Sequence, residues 1–180
     1  MNMFCFQCQE TARGTGCTVK GVCGKEPQTA AYMDLLLYAV RGIAIVNRTL
    51  CEKGTAHNEI DHFVLDALFC TITNANFDDE AIIVRIKKAF EIKNILVGTA
   101  KKRNIALPDM PEVAYFVSEE NYLAEAAEVG VFSEPNEDLR SLKQMVIYGV
   151  KGAAAYTEHA LNLGFEDHDI YAMIENALAE

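Results

Sequence analysis

Four of the six cysteines fall within the first 23 residues, and this cluster constrains the fold more than any other feature. Cys5, Cys8, Cys17 and Cys23 have the spacing C-x2-C-x8-C-x5-C, with glycines at positions 14, 16, 21 and 24. Those glycines disfavour a regular helix and let the backbone wrap closely around a compact group. Four thiolates that converge on one point repel one another, so a multivalent cation or an iron–sulfur core has to offset their charge.

The spacing itself favours an iron–sulfur centre over zinc. A structural zinc site usually takes two C-x2-C-like pairs separated by about a dozen residues or more. Here the second pair is C-x5-C and the gap is eight residues, so the zinc pattern fits one half only. Zinc, or a redox or disulfide role, stays an alternative at this point. Lys20, Lys25 and Arg13 lie beside the cysteines, either to offset the charge of the centre or as solvated surface charges.

The composition is that of a globular protein in a reducing compartment. Apolar residues make up 51% of the chain, and the net charge of −10 disfavours nucleic acid as a partner because an acidic surface repels phosphates. No uninterrupted apolar run approaches the roughly 18 residues of a membrane helix, and no secretory signal is visible. We therefore expect a cytoplasmic protein without a membrane partner, in which clustered cysteines bind metal rather than pair with one another.

Beyond residue 26 the apolar residues recur at three- and four-residue steps, which predicts an all-α fold. Pro27 suits the first turn of a helix, and Gly54 suits the end of that helix. Asn58 and Asp78 are predicted to cap the next two helices. The predicted helices span about 30–53, 58–73, 79–103, 118–129, 137–163 and 167–179.

The sequence also contains an internal repeat. The segment LYAVRGIA at 37–44 recurs as IYGVKGAA at 147–154, and Gly54 and Gly164 stand at the same offset of 110 residues. We interpret the repeat as two related three-helix units behind the cysteine segment. The predicted division is a cysteine segment over 1–28, a first bundle over 29–104, a linker with a short helix over 105–136, and two helices of a second bundle over 137–180.

Two expectations follow from the repeat. Gly42 and Gly152 lie inside helices, where glycine costs about 1 kcal/mol relative to alanine, so both predict a close helix–helix approach. The second unit lacks a third helix, which predicts an apolar groove beside Tyr148, Ala155, Tyr171 and Ile174. A following helix, a partner, self-association or the short helix near 118–129 would then fill this groove.

Several motifs resemble the N-terminus of the hybrid cluster protein family, whose members are also called prismane proteins or hydroxylamine reductases. The resemblance is carried by MFCFQCQET at 3–11, TGCT at 15–18, GVCGK at 21–25, LLLYAVRGIA at 35–44, AAEVGV at 126–131 and EDLRSL at 137–142. It implies an N-terminal domain of two three-helix bundles set across one another, in which Cys5, Cys8, Cys17 and Cys23 hold a [4Fe-4S] cluster. The cysteine spacing matches the anaerobe-type members, whereas the wider spacing of facultative species is associated with a [2Fe-2S] centre.

For a full-length member, the resemblance implies the two-electron reduction of hydroxylamine to ammonia and water, with nitric oxide as an alternative substrate. The N-terminal cluster would relay electrons between a donor protein and a hybrid Fe–S–O cluster, whose His, Glu and Cys ligands lie in later domains. Family members are much longer than this chain, so the 180 residues are not expected to be catalytic alone. The alternatives are a freestanding small electron carrier and a zinc-stabilised helical interaction module.

The remaining cysteines and histidines lie outside any ligand motif. Cys51 and Cys70 are predicted to be buried core residues, because cysteine is among the residue types most often buried. No metalloprotease motif, phosphate-binding loop or dinucleotide fingerprint is present. The four histidines are therefore predicted to be structural or surface residues: His57, His62, His159 and His168.

Overall fold

The structure is a computed structural model of the chain, and it describes residues 3–8, 10–55, 58–114 and 121–180. The all-α prediction is confirmed, since seven α-helices and no strand occur in these residues. The helices are α1 (Pro27–Glu52), α2 (Asp61–Cys70), α3 (Asp79–Lys102), α4 (Pro111–Ala114), α5 (Tyr122–Val129), α6 (Glu137–Asn162) and α7 (His168–Leu178).

Several helix ends lie where the sequence predicts them. Pro27 occupies the first turn of α1, where its missing N–H costs nothing. The Asp78 carboxylate caps α3 by accepting hydrogen bonds from the backbone N–H groups of Glu80 (3.0 Å) and Ala81 (3.2 Å). Gly54 and Gly164 follow α1 and α6 with φ values of +73° and +82°, a left-handed conformation that glycine adopts without strain.

The second helix differs from its prediction at both ends. The segment Asn58–Ile60 forms a 3₁₀ turn, so α2 begins at Asp61; the Asn58 side chain lies outside the described part of the structure. At the other end, the Thr71 hydroxyl donates to the carbonyl of Leu68 at 2.8 Å and so competes with the helical hydrogen-bonding pattern. Asn74 is then left-handed, with φ +62°, and the helix stops at Cys70 rather than Thr73.

The connection between α3 and α6 contains one helix that the sequence did not predict. This helix is α4, a single turn that begins at Pro111. A short helix was predicted over 118–129; residues 118–120 lie outside the described residues, and α5 lies within the rest of the predicted range. The Asn136 side chain accepts from the backbone N–H of Leu139 at 3.0 Å and starts α6.

The core is arranged around α1, which packs most extensively against α3 and also contacts α5, α7 and α4. Within the described residues, α1 is the one helix long and apolar enough to cross a membrane, but 78% of its most apolar window is buried inside the protein. It is therefore the central core helix. A single apolar cluster joins α1 to side chains from α2, α3, α5, α6 and α7. The division of the chain into two bundles stays a prediction.

The repeat is visible in the helices themselves. α1 and α6 each contain 26 residues, and both their first and their last residues are separated by the repeat offset. Their surroundings differ, however. A Cβ atom on Gly42 would lie 2.3 Å from the carbonyl oxygen of Glu112 in α4, so the predicted close approach is confirmed there. At Gly152 the prediction is wrong, because no described atom lies within 4 Å of an added Cβ.

The predicted groove is also only partly correct. Tyr171 and Ile174 are buried, because α7 packs against α1 rather than leaving its apolar face open. Tyr148 is exposed and Ala155 half-buried. Exposed apolar side chains instead lie along α6, on a set that we call the α6 face: Leu139, Leu142, Met145, Val146 and Tyr148.

Candidate iron–sulfur site

The backbone of the cysteine segment places two of the four predicted ligands opposite each other. Cys5 and Cys17 form an isolated antiparallel bridge, in which the N–H of Cys5 donates to the carbonyl of Cys17 (3.0 Å) and the reverse bond measures 2.7 Å. Gly16, just before Cys17, has φ +120°, and a Cβ there would lie 2.7 Å from the Phe4 ring. Only glycine fits this position, so Gly16 makes the bridge possible.

Cys23 lies in a tight turn formed by the second pair of glycines. The N–H of Gly21 donates to the carbonyl of Lys25 at 2.8 Å, and the N–H of Gly24 donates to the carbonyl of Gly21 at 2.8 Å. Gly24 has φ +92°, again in the left-handed region. The Sγ of Cys23 lies 3.1 Å from where a Cβ of Gly21 would be. A side chain at position 21 would therefore crowd the thiol.

The four thiols differ in exposure. Cys17 is buried, Cys5 and Cys8 are half-buried, Cys23 is exposed, and all four are free of disulfide bonds. Four free thiols on non-helical, glycine-rich backbone are a donor set that suits an iron–sulfur centre. In the described ranges, however, no three His, Cys, Asp or Glu side chains form a group that can hold a metal. The convergence of all four cysteines stays a prediction.

Gln7 attaches the cysteine segment to the helices. In the amide orientation that satisfies both neighbours, its oxygen accepts from Lys151 Nζ at 2.9 Å and its nitrogen donates to the Thr71 carbonyl at 3.2 Å. The Thr73 hydroxyl donates to the backbone carbonyl of Gln7 at 3.2 Å, and Lys151 Nζ donates to the Thr71 carbonyl at 3.1 Å. The segment is therefore held at the end of α2 and at α6.

Two buried lysines accompany the cysteine segment. Lys25 is buried and its ammonium group contacts the sulfur of Met33 at 3.2 Å. Lys151 is also buried; desolvation lowers its pKa to about 8, while Asp34 and the Cys5 thiol act in the opposite direction. Burial raises the pKa of Asp34 to about 7, and the charges of Lys151 and Lys25 oppose that shift. The site thus holds two ammonium groups that can offset negative charge.

The other two basic residues beside the cysteines behave as surface charges. Lys20 pairs with Glu26, and both side chains are exposed. Arg13 is exposed as well. Of the three basic residues named from the sequence, only Lys25 is buried. The sequence did not identify Lys151 as a site residue. The one signal for it was a basic residue within the apolar pattern of the repeat.

Sequence comparison identifies the family. Residues 3–180 match the Prismane/CO dehydrogenase family. The chain belongs to this family. It is 53% identical over 180 residues to a hydroxylamine reductase of Bacteroides thetaiotaomicron, covering 100% of this chain and 32% of that protein. It is 45% identical over 181 residues to a hydroxylamine reductase of Clostridium novyi, covering 99% of this chain and 33% of that protein.

The chain therefore spans about a third of the length of the curated relatives it matches. The resemblance of the sequence to the N-terminal domain of the hybrid cluster protein is confirmed by these matches and by the family assignment. Iron–sulfur cofactors are a property of this prismane family. The type of cluster in this chain stays a prediction.

The lone cysteines of this prismane-family chain are not alike. Cys70 is buried, as predicted; burial raises the pKa of its thiol, and the Asn76 amide donates to its sulfur at 3.4 Å. Cys51 is exposed, so the prediction of a core residue is wrong there. Cys51 lies in the last turn of α1.

The described histidines are surface residues that contact neighbouring side chains. His62 Nε2 lies 3.0 Å from Glu166 Oε2, and His159 packs edge-on against the Phe69 ring. His168 Nδ1 lies 3.6 Å from Asp61 Oδ2. His57 lies outside the described residues. These contacts support the prediction of structural or surface roles for the three described histidines.

Proposed function

We propose that this chain is the electron-transfer part of a hydroxylamine reductase of the hybrid cluster type. Cys5, Cys8, Cys17 and Cys23 hold one [4Fe-4S] cluster, in preference to a [2Fe-2S] centre. The observation that carries the proposal is the paired Cys5–Cys17 backbone with buried lysines beside it, in a chain that matches hydroxylamine reductases along its whole length.

The cluster, when bound, supplies a one-electron redox centre. The protein residues hold it and set its surroundings. Cys17 is buried and excludes water from one side, whereas Cys23 is exposed and gives an external donor protein a short path to the site. Lys25 and Lys151 favour the more negative, reduced state, because a buried positive charge stabilises a nearby negative one.

In the full-length cytoplasmic enzyme, the reaction is the reduction of hydroxylamine: NH2OH accepts two electrons and two protons and yields ammonia and water. The name of the relatives supports this substrate, and nitric oxide is the alternative. The catalytic hybrid cluster belongs to the parts of the longer protein that this chain does not cover. The 180 residues alone are therefore not catalytic.

The remaining domains are the proposed partner of the α6 face. Its apolar side chains are up to 66% exposed, at Met145. Next to it a cleft of about 700 Å³ is lined by Cys8 and by both apolar and polar side chains, among them Phe132, Met145 and Gln144. Because exposed apolar patches of this kind mark interaction surfaces, we place the rest of the enzyme here, with self-association as the outcome when those domains are absent.

The experiment is anaerobic reconstitution with iron and sulfide, followed by metal analysis and visible spectroscopy. We expect about four iron atoms per chain, as a [4Fe-4S] centre contains, and a visible absorption that dithionite bleaches. Cys17→Ala should lose that absorption, whereas the matched control Cys51→Ala should keep it, since Cys51 lies on the far end of α1. About two iron atoms would favour [2Fe-2S], and tightly bound colourless zinc would favour the interaction module.

A further inference from the structure

A second group of buried polar side chains lies where α7 meets α1 and the first residue of α2. Asn47 of α1, Asp61 of α2 and Glu175 of α7 are 3%, 8% and 7% exposed. This is the opposite end of α2 from Thr71, where Gln7 attaches. The cluster is therefore separate from the candidate iron–sulfur site, and the function proposed above does not use it.

The carboxyl groups of this cluster can hydrogen-bond to each other only if one of them carries a proton. Asn47 Nδ2 donates to Glu175 Oε2 at 2.7 Å, which satisfies one carboxylate oxygen. The carboxyl groups of Asp61 and Glu175 also lie within hydrogen-bonding contact of each other. Two ionised carboxylates have no hydrogen to place between them. Accordingly, Glu175 Oε1 is buried without a donor among the described residues.

The surrounding charges indicate which carboxyl group carries the proton. Burial raises the pKa of Asp61 as well, but the hydrogen bonds with Glu175 and His168 and the charges of His168 and His62 oppose that shift. His168 Nδ1 lies 3.6 Å from Asp61 Oδ2. Among the described residues, no cation is recorded in contact with Glu175. Its pKa is raised to about 7, mainly by burial and further by the charge of Asp61, against the hydrogen bond from Asn47.

The other charged groups around α7 are engaged elsewhere. Arg48 of α1 pairs with Glu180 at 2.6 Å and donates to the carbonyl of Ala179 at 3.1 Å. Glu166 pairs with His62. From α6, Glu158 raises the pKa of the Tyr171 hydroxyl, as do Glu166, Asp61 and Asp167, although burial is the largest cause. Of these carboxylates, that of Asp61 is the one whose charge raises the pKa of Glu175.

We propose that Asp61 and Glu175 share one proton, and that this proton fastens α7 to α1 and to the start of α2. Loss of the proton leaves two carboxylates in contact in a buried site, which favours release of α7. Because the folded pKa of Glu175 lies above its ordinary value of 4.5, the stabilisation is complete below pH 4.5 and is lost as the pH rises through about 7.

The test is amide hydrogen exchange of α7 (His168–Leu178) at pH 6 and pH 8.5, corrected for the intrinsic pH dependence of exchange. In the wild-type chain, the opening equilibrium of α7 should rise up to about tenfold per pH unit above pH 7, as expected for release of one proton. Glu175→Gln keeps the shape and carries a permanent donor toward Asp61, so its α7 should stay protected at both pH values. The matched control Glu166→Gln should behave like the wild type.

A second measurement does not depend on how well the variants fold. In a wild-type chain with ¹³C-labelled glutamate, one side-chain carboxyl resonance should titrate near pH 7. The proposal is overturned if every glutamate titrates in its ordinary range, or if wild-type protection does not change with pH. It is also overturned if Glu175→Gln loses the protection of α7 between pH 6 and pH 8.5 to the same extent as the wild type, since the proton on Glu175 would then not be the one that holds α7.

Discussion

Gly42 and Gly152 occupy equivalent positions of the repeat, and the same change to alanine should have opposite effects on stability. At Gly152 an added Cβ meets no described atom within 4 Å, so the variant gains helix propensity only. We expect Gly152→Ala to be about 1 kcal/mol more stable than the wild type, because alanine is favoured over glycine by about that amount in a helix.

At Gly42 the same gain is outweighed by a clash. The added Cβ would lie 2.3 Å from the Glu112 carbonyl oxygen and 3.1 Å from Lys93 Cδ. That carbonyl accepts a hydrogen bond from Lys93 Nζ at 2.9 Å, and Arg41 pairs with the Glu112 carboxylate at 3.3 Å, so α4 is held in place. Overpacking against held backbone costs about 3 kcal/mol, and subtracting the helix gain leaves Gly42→Ala destabilised by about 2 kcal/mol.

The assay is urea denaturation of the three proteins, monitored by far-ultraviolet circular dichroism. The midpoint should rise for Gly152→Ala and fall for Gly42→Ala, with unchanged m-values. In thermal unfolding the expected shifts are about 2–4 °C upward and about 4–8 °C downward. If both variants were stabilised to the same extent, α4 would not be held against α1, and the packing argument for Gly42 would be wrong.

Three further predictions concern the site and the exposed surface. Cys70→Ala should keep the visible spectrum of the reconstituted protein and lower the free energy of unfolding by about 1–2 kcal/mol, since it removes one buried sulfur atom; loss of the chromophore would contradict this. Lys151→Met should lower the reduction potential of the centre in a potentiometric redox titration, because a buried positive charge is removed, whereas Lys20→Met at an exposed position should not. Equal potentials for Lys151→Met and the wild type would refute the role of the buried charge. The chain should self-associate in sedimentation experiments, and Leu142→Glu with Met145→Glu should make it monomeric, whereas Val84→Glu on exposed α3 surface should not; a wild-type monomer would contradict the prediction.

The features that the sequence predicted well are set by local chemistry. Asp78 caps α3 and Gly54 ends α1 because the capping hydrogen bond and the left-handed conformation depend on a few neighbouring residues. The candidate site was likewise named from the spacing of four cysteines in a single segment, and their convergence on one cluster stays a prediction. In each case the decisive atoms belong to residues close together in the chain.

The predictions that failed concern burial, which depends on distant parts of the chain. Cys51 is exposed although it follows the apolar pattern of α1, and Tyr171 is buried because α7 folds back onto α1. Lys151 approaches the cysteine segment only because α6 packs on α2, whose end also holds Gln7. No local signal in the sequence specifies which helices meet. The same limit explains why Asp61 and Glu175 were not recognised as a pair.

The repeat gives a physical reason to regard the α6 face as an unfinished core. At the repeat offset, Leu142, Met145 and Val146 correspond to Tyr32, Leu35 and Leu36 of α1. Those three residues of α1 are buried in the core, whereas their counterparts on α6 are exposed. α1 is covered by α3 and α5, while within the described residues the main helix contacts of α6 are with α2 and α7. Because the α6 face has the apolar pattern of a central core helix, it needs packing partners that cover it as α3 and α5 cover α1. If the proposed function holds, the remaining domains should pack on this face rather than on α7.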